Sequence, residues 1–312
     1  MRYVLSRVVQ AVAVMFGVTT ALFLLLRAVP GDPAAAIAGP NATPATIAAI
    51  RAQFHLNQPL PEQYVHWLGS VLTGHLGTSL AYQEPVSTLI GQNAMPSLQL
   101  VVAGMIVGLG LGIPLGVLAA THRRKPADLA VSGFTATVLG MPAFWMGLIL
   151  LLVFSVDLRW VPSGGWANVF TDPVTGLKTL VLPAITLGLG IAAIQARFVR
   201  SAMIEALNGD YVRTARAKGA SERTVVWRHA FRNALLPVIT IAGIQVGVLI
   251  GGAVVIENVF ARPGLGTVVA TAIANRDYPV VEGVTLVLVA AFSAVNLLVD
   301  LLYAVIDPRI RR

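Results

Sequence analysis

The residues able to do chemistry in this chain are few, and their spacing does not gather them. Cysteine is absent from the 312 residues, which removes disulfide scaffolds, thiolate zinc sites, iron–sulfur clusters and a cysteine nucleophile. The five histidines, His55, His66, His75, His122 and His229, all fall outside the long apolar runs. An intramembrane serine protease needs a serine and a histidine facing each other inside the bilayer, and a metal site in a bundle needs clustered His, Asp or Glu. Neither can be assembled from these positions. His66 and His75 stand nine apart in a polar segment and read as solvated surface before they read as a metal pair. No GxxxxGK[ST] loop occurs, so the chain has no P-loop cradle for a nucleotide phosphate. No catalytic, cofactor-binding or metal-ligating residue is assigned. Uphill work would have to draw on an ion gradient or on another polypeptide.

The elements around these residues are built for lipid. Hydrophobic side chains make up 56% of the chain and charged ones 12%, against about 25% charged in soluble domains. The mean hydropathy is +0.77. A hydrocarbon core of about 30 Å takes roughly 20 apolar residues per helix, and six such runs are expected near 8–28, 98–121, 129–154, 179–199, 234–256 and 283–305. The first exceeds the h-region of a signal peptide and reads as a retained anchor. Inside the runs the only acidic residue is Asp300, one turn after Asn296. That pair reads as a packing contact or an end group ahead of a proton relay, although intramembrane charge is the usual mark of ion coupling. Asp157 and Glu257 are placed at outer ends, within reach of water.

Orientation follows from where Lys and Arg fall between spans. One side receives sixteen: Arg2, Arg7, Arg123, Arg124, Lys125, eight between Arg197 and Arg232, and Arg309, Arg311 and Arg312. The other receives six: Arg27, Arg51, Arg159, Lys178, Arg262 and Arg276. Both termini are therefore expected in the cytoplasm, and the formal charge of +8 needs no nucleic-acid partner.

Small residues let helices approach closely where the hydrophobic effect between them is lost. Gly104, Gly108, Gly112 and Gly116 recur every fourth residue, as do Gly243, Gly247 and Gly251. Both series are assigned to helix packing, with sliding during a transport cycle as the sharper alternative. Pro114, Pro142, Pro183 and Pro237 are expected to kink or start helices. The chain divides into 1–28, the N-terminal end and first span; 29–97, an outer segment of short helices; and 98–312, a five-helix core. The outer segment opens on Pro30-Gly31-Asp32-Pro33. Thr43-Pro44 is expected to start a helix over Ala45 to Phe54, and Pro61 another through Tyr64, Val65, Trp67 and Leu68.

The most informative stretch is the loop 200–233. Asn208-Gly209 interrupts span four, Asp210 can cap a helix to Lys218, and Gly219 can end it in the left-handed region. Ser221 can cap a second helix from Glu222 through Val225, Val226, Trp227, Ala230 and Phe231, with Arg223, Arg228 and Arg232 on its other positions. Such a basic amphipathic helix either lies against anionic lipid or docks into a groove on a soluble partner. Composition leaves the two about even.

Asp210-Tyr211-Val212-Arg213-Thr214-Ala215-Arg216-Ala217-Lys218-Gly219 and His229-Ala230-Phe231-Arg232-Asn233-Ala234-Leu235-Leu236-Pro237 together resemble the cytoplasmic coupling loop of binding-protein-dependent ABC importer permeases of the dipeptide/oligopeptide/nickel branch. The likeness extends through Pro30-Gly31-Asp32-Pro33, Arg262-Pro263-Gly264-Leu265-Gly266, Arg276-Asp277-Tyr278-Pro279-Val280-Val281 and Asp307-Pro308-Arg309-Ile310-Arg311. Within the branch it is nearest the first permease subunits of dipeptide transporters. The general importer loop begins Glu-Ala-Ala; here Arg213-Thr214-Ala215 stands in its place, and Pro237 lies later than the general pattern.

The resemblance implies an all-α polytopic membrane protein with six transmembrane helices, both termini cytoplasmic and the type I ABC importer permease fold, in a bacterial inner membrane. It implies a non-catalytic subunit importing dipeptides or short oligopeptides, with nickel or another peptide-like cargo as the alternative. An ion-coupled secondary transporter is the rival of a different class. The implied partners are a second permease subunit, two ATPase subunits or domains holding ATP and Mg, an extracytoplasmic solute-binding protein and membrane lipid. Ala215, Lys218, Gly219, Ser221, Glu222, Val225, Val226, Trp227, His229 and Phe231 are the coupling residues that it implies.

Overall fold

The computed structural model describes residues 2–28, 32–38, 42–53 and 56–306. The motif residues Pro30, Gly31 and Asp307 to Arg311, and His55, lie outside the described residues, as does the side chain of Asp300. In chain order the helices are α1 (Arg2–Ala28), α2 (Pro33–Ala38), α3 (Pro44–Gln53), α4 (Leu60–Leu72), α5 (Val86–Thr121), α6 (Pro126–Gly140), α7 (Ala143–Leu151), α8 (Pro173–Leu207), α9 (Asp210–Ala217), α10 (Glu222–Thr224), α11 (Phe231–Val259), α12 (Leu265–Ala274) and α13 (Tyr278–Ile306). π-Helical turns follow α7 at Leu152–Asp157 and α10 at Val225–Ala230. Among the described residues no strand forms beyond a single bridge between Thr78 and Pro85.

Among the described residues five helices are long and apolar enough to cross a membrane, or six if α6 and α7 count as one crossing. The expected run over 129–154 is broken at Pro142, one of the prolines expected to kink or start a helix: α6 and α7–Asp157 meet at 101°. Pro142 is the cause, because it has no N–H to give a helix and its ring drives the preceding residue out of the helical region. Met141 is accordingly extended, with φ −105° and ψ 134°. Pro114, Pro183 and Pro237 instead lie inside continuous helices.

By contacts the chain separates into two units, residues 1–95 with 264–293, and 96–263 with 294–312. In the first, the apolar core joins Val86 and Leu89 to Leu265, Val268, Val280 and Val284. Arg27 bonds Glu282 at 2.8 Å and Gln63 at 3.2 Å and lies over the Phe23 ring. The Asp277 carboxylate accepts from Ser79 Oγ at 2.6 Å and from the Leu80 and Ala81 N–H groups, which explains why an acidic residue stands in the Arg276–Val281 motif. As expected from sequence, α3 begins at Pro44, with Thr43 Oγ1 accepting from the Thr46 N–H.

In the second unit α8 is the central element. A methyl built on Gly108, Gly112 or Gly116 would meet Ile191 at 2.6 Å, the Ala192 carbonyl at 2.8 Å or Val199 at 2.6 Å, so these glycines set the α5–α8 approach. Gly104 is looser, 3.2 Å from the end of Leu187. In the other series Gly243 packs tightly on Val299, but Gly251 has nothing within 4 Å and Gly252 takes the inward position beside Leu187. Gly247 is half-buried. Four residues advance a helix by about 400°, some 40° past a full turn, so a face repeating every fourth residue drifts off its partner unless the two axes cross to follow it.

Glu257 does not meet water. It is fully buried and accepts from Ser97 Oγ at 2.5 Å, because α5 covers the end of α11 that the linear sequence leaves open. Arg262 is also buried, donating to the Pro96 carbonyl at 3.4 Å, and burial pulls its pKa down to about 10 despite the nearby Glu257 charge.

Candidate functional site: the loop between α8 and α11

α8 stops at Leu207, and Gly209 lets the chain turn, its N–H bonding the Ala206 carbonyl at 3.1 Å. α9 follows, N-capped by Gly209 and opened by Asp210, whose carboxylate pairs with Arg213. Its end is a complete Schellman motif. The Ala220 N–H reaches the Ala215 carbonyl at 3.1 Å and the Gly219 N–H reaches the Arg216 carbonyl at 2.9 Å, with Gly219 at φ +79°. Ala220 packs beside Ala215, the apolar contact that accompanies this cap. Ser221 then caps the next turn, its Oγ accepting from the Thr224 N–H at 3.4 Å.

The second loop helix does not end before the fifth long helix. It passes through the π-turn Val225–Ala230 directly into α11, so loop and helix form one continuous rod; π-turns of this kind are frequent at functional sites. The root of that rod is a cluster of Val117 and Ala120 from α5, Val199 and Met203 from α8, and Ala230, Ala234 and Val238. Val212, Ala215 and Val225 form a second buried cluster that fastens α9 to the rod.

The ten expected coupling residues therefore separate by face. Ala215 and Val225 are buried within the chain, and Val226, His229 and Phe231 are half-buried. Lys218, Gly219, Ser221 and Glu222 are exposed. Arg216 bonds Glu222 at 2.8 Å, and this bond holds the Glu222 carboxyl below the usual carboxylate range. Trp227 is 47% exposed, edge-on to Phe231 at 5.3 Å, and faces the end of α5 across an open groove. Helical periodicity finds which residues are apolar, and only the packed loop tells which of them are already occupied.

One residue pair escapes sequence reading altogether. Arg200 donates to both oxygens of Asp128, Nε to Oδ1 at 2.6 Å and Nη2 to Oδ2 at 2.9 Å, and the Arg124 N–H adds a third bond at 2.9 Å. This fork ties the start of α6 to α8 two turns before the loop. No spacing rule links residues 72 apart, so the pair has no sequence signal. Asp128→Asn keeps the shape and removes the charge. Because a third of Arg200 remains exposed, the expected loss is about 1–3 kcal/mol, below the 3–5 of a fully buried pair. An unchanged melting temperature of the detergent-purified protein would remove this pair from the account of stability.

Among the described residues, no three His, Asp or Glu side chains come together as a metal site requires. What the geometry defines is an all-helical chain with several helices long and apolar enough to cross a membrane, and a capped loop continuous with one of them. The chain belongs to the family of binding-protein-dependent transport system inner membrane components, whose model matches residues 112–312; the N-terminal membrane-component model of the same systems matches 1–97. It is a non-catalytic permease subunit of an ABC importer.

A Brucella ovis protein named as a peptide permease is 45% identical over 100% of this chain and 99% of its own length. A Sinorhizobium fredii protein named as a peptide ABC transporter permease is 43% identical over 99% of each. The glutathione transport system permease protein GsiC of Salmonella choleraesuis is 40% identical over 100% of this chain and 99% of its own. An inward-facing structure of the MetNI methionine ABC transporter matches in fold with a TM-score of 0.58 at 20% identity, over 70% of this chain and 96% of that one.

Proposed function

We propose that this permease carries dipeptides or short oligopeptides inward, paired with a second permease subunit, driven by two ATPases that hold ATP and Mg, and fed by an extracytoplasmic solute-binding protein. The observation that carries the coupling role is the continuity of the loop with α11. A push on the exposed tip, Lys218, Gly219, Ser221 and Glu222, is not absorbed by a hinge but tilts α11 and the helices rooted with it. The tip is the ATPase contact; Ala215, Val225, Val226, His229 and Phe231 transmit the push from beneath. The sixteen-to-six distribution of basic residues supports a cytoplasmic position for this loop and for both termini. Residues 29–97 form the outer segment that meets the binding protein.

The relatives named for peptides and for glutathione support a short peptide-like cargo. The test is reconstitution of the copurified complex in liposomes with its binding protein, together with mass spectrometry of the ligand that protein retains. Uptake of a di- or tripeptide that requires internal-face ATP is expected. Uptake driven by a proton or sodium gradient without ATP would replace this reading with an ion-coupled transporter, and a retained metal complex would replace the cargo alone.

A further inference from the structure

The short helix α4 of the outer segment is seated low on the first long helix. Tyr64 Oη and Thr20 Oγ1 share a hydrogen bond of 2.6 Å. The Tyr64 ring stands edge-on to Phe16 and Phe23 of α1, with centroids 6.3 and 5.1 Å away, and Trp67 lies 5.6 Å from Phe23. Gln63 accepts a bond from Arg27 at 3.2 Å. All these residues belong to one compact unit, so the level of α4 along α1 is defined.

α1 supplies the scale. After Arg2 its charged residues are Arg7 and Arg27, twenty residues apart, or about 30 Å at 1.5 Å per residue. That is the thickness of the hydrocarbon with no length to spare, and Arg27 marks the boundary where it meets Glu282. Thr20 precedes Arg27 by seven residues and so stands about 10 Å inside the hydrocarbon, with Phe23 about 6 Å inside. α4 therefore crosses α1 just below the boundary.

The faces of α4 agree with that depth. At about 100° per residue, Glu62, His66, Ser70 and Thr73 share one arc with Gln63, the residue that meets Arg27 at the water end of α1. Tyr64, which meets Thr20 and Phe16 toward the bilayer centre, opens the opposite arc, and Leu68, Leu72 and Val65 follow it round the helix. Val65 is 68% exposed and Leu72 79%. Phe16, beside Tyr64, continues the exposed apolar stripe of Val9 and Val12 on α1. A soluble binding protein would have to enter the hydrocarbon to cover Val65 and Leu72. α4 contains no Lys or Arg, so apolar area, and not attraction to anionic headgroups, is what can hold it at the interface.

We infer that α4 lies in the plane of the membrane interface at the Arg27 end of α1, with Val65 and Leu72 on the acyl chains of that leaflet and its polar arc toward headgroups and water. Such a helix fastens the outer segment flat against the bilayer and leaves only its polar arc open to a binding protein. The inference rests on α1 crossing the membrane and is independent of the cargo.

The test uses the complete transporter in liposomes. Because this chain has no cysteine, Glu62→Cys, Val65→Cys, Ser70→Cys and Leu72→Cys can each carry one nitroxide label, and the complex with the natural chain is the blank for labels on other subunits. Collisions with oxygen, which concentrates in hydrocarbon, are compared with collisions with a water-soluble nickel chelate present on both sides. Labels at 65 and 72 are expected to favour oxygen several-fold, and labels at 62 and 70 to favour nickel. This alternation arises only from a folded helix, so it also reports that labelled α4 is intact. Nickel preference at all four positions would place α4 in water and overturn the inference, and oxygen preference at all four would overturn the in-plane orientation. Shielding of 65 and 72 from both reagents would overturn it as well. It would give that face to the binding protein if it arises only when that protein is added, and to another subunit if it is present throughout.

Discussion

Gly219→Val is expected to stop coupled transport while the protein still inserts in the membrane. Gly219 sits at φ +79° with nothing within 4 Å of the position a Cβ would take, so the substitution meets no clash and its whole effect is on the backbone. A non-glycine residue in the left-handed region costs about 1–2 kcal/mol, and more when β-branched. The strain is relieved by giving up the two Schellman bonds, from Gly219 to Arg216 and from Ala220 to Ala215. That swings α9 away from the rod and opens the Val212, Ala215 and Val225 cluster. Because each 1.4 kcal/mol is tenfold in an equilibrium, roughly 10-fold or greater loss of ATP-dependent uptake is expected, with ATPases either lost on purification or hydrolysing ATP without transport. Gly219→Asn, which tolerates this region, should stay within about 2-fold of the wild type by the same arithmetic. Unimpaired uptake by Gly219→Val, in cells lacking other permeases of this kind, would sink the lever role of the loop.

The second large effect is expected in the bilayer. Gly112→Ala and Gly116→Ala each place a methyl 2.6–2.8 Å from backbone carbonyls and from Gln195 or Val199 of α8, closer than carbon atoms approach. The obstacle is helix backbone, which cannot rotate away, so α5 and α8 must separate along their length. Overpacking of this kind costs about 1–3 kcal/mol per site, and a membrane helix pair has no hydrophobic effect to recover it. Lower amounts of folded protein in the membrane and a clear drop in melting temperature in detergent are the expected readings for each. Gly104→Ala, whose methyl would stand 3.2–3.4 Å from the Leu187 side chain and meet no backbone of α8, and Gly251→Ala, facing open space, serve as milder controls, expected nearer the wild-type value. If all four behaved alike, the close α5–α8 approach would not be what these glycines are for. A Gly251→Ala variant that melts normally yet fails to pair with the second permease would place that face at a subunit contact.

The two substitutions test the two things that the linear sequence made most legible. Runs of apolar residues, glycines every fourth position and the punctuation Asn208-Gly209, Gly219 and Ser221 are local signals. Each reflects a constraint acting within a few residues: hydrocarbon thickness, the space a side chain occupies, or a dihedral angle only glycine adopts easily. They are readable without knowing what lies across the bundle, although α5 begins at Val86, twelve residues before the run expected from 98, and α8 extends from Pro173 to Leu207 around the run expected over 179–199. The resemblance of the loop and of the motifs at Arg262 and Arg276 to importer permeases is of the same kind, residues in order along the chain.

What the sequence could not supply was decided by neighbours far away in it. Pro142 was legible as a helix boundary, but no local rule gives the 101° at which α6 and α7 meet. Glu257 stands at the end of an apolar run and is open to water on paper, yet α5 covers it and supplies Ser97. Asp128 and Arg200 look like unrelated surface charges until α6 and α8 bring them within 2.6 Å. In the loop, Val225, Trp227 and Ala230 are marked alike as apolar positions of the second helix; only packing shows Val225 and Ala230 filled and Trp227 turned to a groove. Local propensity and steric rules act on neighbours in the chain, and so determine elements. Burial, ion pairing and the freedom of a face to meet a partner depend on which elements touch, and that is set by the tertiary structure.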